Sequence, residues 1–82
     1  MLKKGWYVLE VRSGSERKVK EIIKGLVKGK GLENLIGEIK ENEIRGYVYI
    51  EMTLNNELVY AIEGISNCNG FVRCDGVIVK MN

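Results

Sequence analysis

The chain has 82 residues, 45% hydrophobic content and a net charge of +2, which is enough for one domain with one core layer but not for two domains. It contains no histidine, so the commonest general base and the Cys-His and Ser-His pairs are excluded, and we expect no enzymatic activity. No segment approaches the ~20 apolar residues that span a bilayer, and residues 1–5 are not typical of a signal peptide. We therefore expect a cytoplasmic protein that does not contact a membrane.

The two cysteines, Cys68 and Cys74, lie six residues apart. With no histidine in the chain, a four-ligand zinc site would need carboxylates to complete it. We therefore predict two free thiols, with a disulfide between them as the alternative, and we expect no metal site and no cofactor.

The charges are distributed unevenly along the chain. Residues 1–30 carry nine Lys or Arg against three Glu, a charge of +6, whereas residues 31–82 carry four against eight, a charge of −4. We expect the folded domain to have one basic and one acidic side.

Residues 6–12 are predicted to form the first strand, because apolar side chains alternate along them. One side of this strand carries Tyr7, Leu9 and Val11. The other side carries Trp6, Val8 and Glu10. Both sides contain apolar residues, so the pattern alone leaves open which of them faces the core.

The next segment, from Glu16 to about Gly29, is predicted to be a helix. Ser13 with Glu16 fits a capping box, and Ser15 is an alternative cap. The apolar residues follow one helical face: Val19, Ile22, Ile23, Leu26 and Val27. The opposite side carries four cations, which we call the basic stripe: Arg17, Lys20, Lys24 and Lys28. Such a stripe either solvates a helix or contacts the phosphate backbone of a nucleic acid.

Residues 35–40 predict a short strand whose glycine and charges are typical of a sheet edge or a bulge. An acidic connection, residues 41–43, leads into the clearest strand of the chain, residues 44–52. One side of that strand is aliphatic: Val48, Ile50 and Met52. The other side carries Tyr47, Tyr49 and Glu51. The two tyrosines are suited to a wet interface, although tyrosine also fills half-buried sheets.

A second helix is predicted to begin after Asn55 or Asn56 and to end near Gly64. Its inward residues are expected to be Leu58, Val59, Ala61, Ile62 and Ile65. Asp75-Gly76 between two apolar runs then predicts a hairpin. The order of elements predicts an α+β, ferredoxin-like split βαβ domain: an antiparallel sheet with two helices on one face, an open second face and a short C-terminal hairpin.

Four short segments resemble the N-terminal (NGN) domain of the NusG family of transcription elongation and antitermination factors. In chain order they are Trp6-Tyr7-Val8, Ser13-Gly14-Ser15-Glu16, Gly46-Tyr47-Val48 and Gly70-Phe71-Val72. The resemblance implies one NGN-like domain over residues 1–82, without the KOW domain that normally follows. Two departures are Ile44-Arg45, where the family usually has Phe-Pro, and a short connection from Leu35 to Gly46. In this compactness the chain is similar to archaeal relatives or to a specialised bacterial paralogue.

This resemblance also implies a partner and a mechanism. NGN domains grip the clamp coiled coil of the largest RNA polymerase subunit with an apolar depression on the sheet, which favours processive elongation. The matching positions here are Val8, Tyr47 and Tyr49, with Trp6 at the margin. The family's helices lie near upstream DNA, which implies a nucleic-acid contact for the basic stripe. If the chain is of the archaeal type, a small zinc-binding elongation partner is also implied.

An RNA-recognition motif is the main alternative, because it has the same strand order and residues 45–52 partly fit its base-stacking pattern. Val48 and Met52 depart from that pattern. Glu10 and Glu51 are also expected on the open face, where carboxylates would repel phosphates. An unrelated regulatory or assembly domain is the remaining alternative.

Overall fold

The computed structural model describes residues 4–41 and 44–81, and within them a sheet carries two helices on one of its faces. The strands of this sheet are β1 (Gly5–Val11), β2 (Ile36–Glu41), β3 (Tyr47–Met52) and β4 (Cys68–Phe71). The helices are α1 (Glu16–Lys30) and α2 (Asn56–Glu63), and a 3-10 turn at Glu33–Leu35 precedes β2. A hairpin of β5 (Arg73–Cys74) and β6 (Val77–Ile78) follows β4.

The sheet has the strand order β2-β3-β1-β4, and each neighbouring pair is antiparallel. This is the predicted ferredoxin-like topology, with β3 and β1 as the two central strands. β2 is an end strand of the sheet, and its register with β3 shifts between Ile36 and Ile39. Both predicted features, an edge position and a bulge, are therefore confirmed. The predicted acidic connection at Asn42 and Glu43 lies outside the described residues.

The core lies between the sheet and the two helices, and it settles the phase of β1. Tyr7 is only 6% exposed, whereas Trp6 and Val8 are half-buried, so the odd-numbered side of β1 faces the helices. The buried strand residues are Tyr7, Leu9, Val11, Ile39, Val48, Ile50, Met52 and Phe71. The buried residues of the helices and the turn after α2 are Val19, Ile23, Val27, Leu58, Ile62 and Ile65.

Ile22, which the sequence pattern assigns to the apolar face of α1, is 37% exposed and lies outside the core. At about 100° per residue, Ile22 lies roughly 100° from the centre of the face formed by Val19, Ile23 and Val27. Val59 and Ala61 of α2 are only half-buried, and Val59 packs against the margin of the core.

The two helices begin differently. The predicted capping box is wrong: Ser15 is the N-cap of α1, yet within the described residues its side chain makes no capping hydrogen bond. The Glu16 carboxylate accepts instead from the N–H groups of Gly14 and Gly46. At α2 the alternative Asn55 is correct, because its Oδ1 accepts from the Leu58 N–H at 3.0 Å.

The predicted hairpin is confirmed, with Asp75 and Gly76 both at positive φ. The chain on either side of it lies beside β1, since the Val72 N–H donates to the Val8 carbonyl at 2.9 Å and the Met81 N–H donates to the Trp6 carbonyl at 2.8 Å. Tyr7 and Lys80 form a bridge there. The hairpin arm therefore continues the sheet along the part of β1 that β4 does not reach.

A carboxylate at the end of α2 fixes the start of this arm. Glu63 accepts from the Phe71 N–H at 2.8 Å and from the Arg73 guanidinium at 2.8 and 3.2 Å. We call this group the Glu63 clasp. The paired guanidinium, together with the Phe71 N–H, holds the pKa of Glu63 below its usual value of 4.5. The clasp therefore ties the helical layer to the hairpin arm.

Candidate functional site

The face of the sheet turned away from the helices, which we call the open face, carries the residues predicted to bind a protein. Trp6, Val8, Tyr47 and Tyr49 are all half-buried there. Val8 lies directly opposite Tyr49 on the neighbouring strand, at the centre of the sheet. The structure therefore brings the four residues into one apolar patch on β1 and β3, which neither described helix covers.

Lys40 on β2 adds a cation to this patch. Its Nζ lies 5.4 Å from the centroid of the Trp6 ring, within the range of a cation–π contact. Since β3 lies between β1 and β2, the two side chains meet above β3. Sequence reasoning missed Lys40 because the contact depends on the pairing of strands that are distant in the chain.

Two carboxylates lie at opposite ends of the patch. Glu10 is opposite Tyr47 and is exposed, while Glu51 is opposite Trp6. Glu51 also accepts from the Glu38 N–H at 3.3 Å, and a side chain at Gly37 would collide with its carboxylate. Both carboxylates are therefore on the open face as predicted, where they give the apolar patch an acidic rim.

The hairpin arm widens the patch, which sequence reasoning also missed. Lys80 pairs with Tyr7 and shares its side of the sheet, so alternation places Val79 and Met81 on the open side next to β1. Val79 is 36% exposed and Met81 is 46% exposed. No local pattern reveals that residues 79–81 pair with β1, because the pairing joins the two ends of the chain.

The basic stripe lies on α1, on the helical side of the domain, so the two predicted sets of site residues are not brought together. Arg17 and Lys20 both approach Glu41, at 3.7 and 4.0 Å. Lys24 lies 3.7 Å from Glu21 on the same helix. Surface ion pairs of this kind contribute about 0–1 kcal/mol, so they leave the side chains available for other contacts.

A groove of about 730 Å³ lies between the C-terminal half of α1 and α2. Leu26, Tyr60 and Ile65 contribute to its apolar lining, and Tyr60 is 84% exposed. The groove is on the helical side and is separate from the open face.

Both cysteines are free; Cys74 is exposed, and burial raises the pKa of the half-buried Cys68 thiol. Over residues 4–41 and 44–81 no three cysteine, aspartate or glutamate side chains come together as metal ligands. Neither helix in these ranges is long and apolar enough to cross a membrane.

Comparisons with known proteins agree with the fold and with the resemblance. The family model described as transcription termination factor NusG matches residues 4–82. The chain belongs to the NusG family. A relative in this family, the transcription termination/antitermination protein NusG of Streptococcus pyogenes serotype M3, is 32% identical over 91 residues, covering 89% of this chain and 51% of the relative.

Solved structures of the NusG family match the fold. NusG of Thermotoga maritima superimposes with a TM-score of 0.80 and 33% identity over 98% of this chain and 51% of its own. The N-terminal domain of NusG from the archaeon Methanocaldococcus jannaschii matches with a TM-score of 0.69 over 90% of this chain and 89% of its own, and at 20% identity it shows the fold alone. The chain spans about half the length of the bacterial relatives. The NusG family is a family of transcription factors, and this chain has the NGN fold.

Proposed function

We propose that this domain binds the clamp coiled coil of the largest RNA polymerase subunit through the open face and thereby favours processive elongation. The observation that carries the proposal is the Val8–Tyr49 pair, flanked by Tyr47 and Trp6, on a sheet face that the described helices leave uncovered. Membership of the NusG family supports it, because that family acts in transcription.

The chemistry of the open face suits a helical protein partner. Half-buried aromatic residues provide rigid, mostly apolar contact area, and a few such anchors dominate the energy of helix-in-groove recognition. The rim carboxylates Glu10 and Glu51 favour a partner that carries cations beside its apolar contacts. The same carboxylates disfavour a phosphate backbone, which argues against RNA binding on this face.

Favouring elongation requires only a difference in affinity between two states of the polymerase. We propose that the domain bridges the polymerase cleft and contacts its other side only when the clamp is closed, so that binding stabilises the closed state. About 1.4 kcal/mol of such preference shifts the ratio of open to closed clamp tenfold.

The basic stripe is proposed to contact upstream DNA. Its position on α1 supports this role, because a nucleic acid could approach the helical side while the open face holds a protein. If the chain is of the archaeal type, we also propose a small zinc-binding partner at an edge of the sheet, whose end strands are β2 and β4.

The first test measures binding of the purified domain to isolated clamp helices. We expect Tyr49→Ala to weaken binding and Tyr60→Ala, which removes an exposed tyrosine from α2, to bind like the parent. A parallel titration with single-stranded RNA tests the alternative. RNA binding that depends on Tyr47, without binding to the clamp helices, would overturn the proposal in favour of an RNA-recognition domain.

The second test measures transcription past a pause site with purified polymerase, with and without the domain. We expect shorter pauses with the parent domain and with Tyr60→Ala, and a smaller effect with Tyr47→Ala. Unchanged pausing at concentrations where binding is demonstrated would contradict the clamp-closing mechanism.

A further inference from the structure

Glu16, the first residue of α1, joins two parts of the chain that are thirty positions apart. Its Oε1 accepts from the Gly14 N–H at 2.9 Å, and its Oε2 accepts from the Gly46 N–H at 2.6 Å. The Gly46 hydrogen bond is also the main reason that the pKa of Glu16 lies below its usual value of 4.5. The carboxylate therefore does more than begin a helix.

Gly46 is held at both of its backbone polar groups. While its N–H donates to Glu16, its carbonyl accepts from the Val11 N–H at 2.8 Å. Its φ of +95° belongs to the region that favours glycine, so the chain turns sharply there. The next residue is Tyr47, the first residue of β3, which lies opposite Glu10 on the open face.

We propose that Glu16 is a positioning residue that orients Tyr47 for the protein partner of the open face by fixing the peptide N–H of Gly46. This inference rests on the proposed function of that face. Tyr47 is the first residue of β3 and directly follows the turn at Gly46, whereas Tyr49 lies inside the strand with Val8 on one side and Lys40 on the other. When the Glu16 carboxylate is removed, the start of β3 becomes less ordered. The free energy of ordering Tyr47 then weakens binding of the partner.

The two contacts of Glu16 have different consequences. The Gly14 contact is local and lies in the turn before α1, whereas the Gly46 contact spans the domain. A glutamine has one acceptor oxygen in place of two, so Glu16→Gln can keep one of these hydrogen bonds at most with good geometry. Glu16→Ala removes both. We therefore expect Glu16→Gln to lie between the parent and Glu16→Ala in every measurement.

The test is a double-mutant cycle on binding to isolated clamp helices. We expect Glu16→Ala to raise the Kd about two- to tenfold, the cost of ordering one interface side chain. That increase should disappear in the Tyr47→Ala background and persist in the Tyr49→Ala background. Glu21→Ala on the same helix, which loses only an ion pair with Lys24, is the matched control and should bind like the parent.

Amide hydrogen exchange of the free domain gives a second readout that does not depend on a partner. Exchange at Gly46 and Tyr47 should accelerate in Glu16→Ala, while exchange at Tyr49 should change little. Circular dichroism establishes that the variants are folded, and Glu16→Gln replaces Glu16→Ala if the latter is not.

The outcomes separate this inference from the proposed function. If the parent domain binds the clamp helices and Tyr47→Ala weakens binding, but Glu16→Ala does not, the positioning role fails and the proposed function stands. If the effect of Glu16→Ala is the same in the Tyr47→Ala and Tyr49→Ala backgrounds, Glu16 is only structural. If the parent does not bind at all, the proposed function fails, and the binding role of Glu16 fails with it.

Discussion

Val48 and Tyr49 are neighbours in β3, yet they belong to two different surfaces of the sheet. Val48 is fully buried under the helices, as are Leu9 and Ile50, whereas Tyr49 is half-buried on the open face opposite Val8. On β3 the helix-covered side is aliphatic and shaped by packing, while the open side carries two tyrosines and belongs to a patch with an acidic rim. The comparison indicates that one strand can serve stability and binding through alternate residues, so single substitutions should separate the two roles.

The largest expected effect is on the helix-covered face. Ile50→Ala should lower the free energy of unfolding by about 2–5 kcal/mol, because it leaves a cavity among fully buried residues. Tyr49→Ala is the matched change on the adjacent position and should cost much less stability. Urea unfolding followed by circular dichroism measures both, and equal losses for the two variants would contradict the assignment of the faces.

The next effect is on binding by the open face. Tyr47→Ala and Tyr49→Ala should each weaken binding to the clamp helices by about 2 kcal/mol or more, which is roughly thirtyfold in Kd, because buried aromatic anchors dominate such interfaces. Isothermal titration calorimetry measures this change. Tyr60→Ala is the control for removing an exposed tyrosine. A similar loss of affinity in Tyr60→Ala would contradict the assignment of the binding surface to the open face.

The Glu63 clasp links the two faces, since it ties the end of α2 to the arm that carries Val79 and Met81. Glu63→Gln should cost about 1–3 kcal/mol, because it weakens charge-assisted hydrogen bonds to Arg73 and leaves the Phe71 N–H less well paired. The control is Glu57→Gln on the same helix, which loses only the favourable position of an exposed carboxylate in the first turn and should therefore cost less stability than Glu63→Gln.

Lowering the pH should destabilise the domain in the same way as Glu63→Gln, because it protonates the Glu63 carboxylate. The pKa of Glu63 is lowered in the folded state, so its contribution is fully present above the unfolded value of 4.5 and is lost as the pH falls through the folded value. Urea midpoints measured from neutral pH to below 4.5 should therefore fall more steeply for the parent than for Glu63→Gln. If the urea midpoints of the parent and of Glu63→Gln fell in parallel with pH, the charge of the Glu63 carboxylate would not stabilise the hairpin arm.

The parts of the fold that could be predicted from sequence depend on local patterns. Period-two alternation separated Val48 from Tyr49, and the Asp75-Gly76 turn predicted the hairpin. The features that could not be predicted are contacts between residues that are distant in the chain. Glu16 does not complete a capping box, because its carboxylate reaches the N–H of Gly46 thirty residues away. Likewise, the sequence contains no local sign that the hairpin arm pairs with β1, although that pairing widens the candidate site.

The smallest expected effect concerns the basic stripe, which tests whether the helical side also binds a ligand. Replacing Arg17, Lys20, Lys24 and Lys28 together by Gln should leave binding to isolated clamp helices unchanged, because the stripe is on the opposite side of the sheet from the patch. Binding to an assembled elongation complex should weaken, with a shallower dependence of the logarithm of affinity on the logarithm of salt concentration. Arg17 and Lys20 already pair with Glu41, so the slope should change by less than the loss of four full phosphate contacts would predict. Lys18→Gln, on α1 but outside the stripe, is the control for loss of a positive charge on this helix. Equal salt slopes for the quadruple variant and the parent would show that the stripe is only a solvated surface.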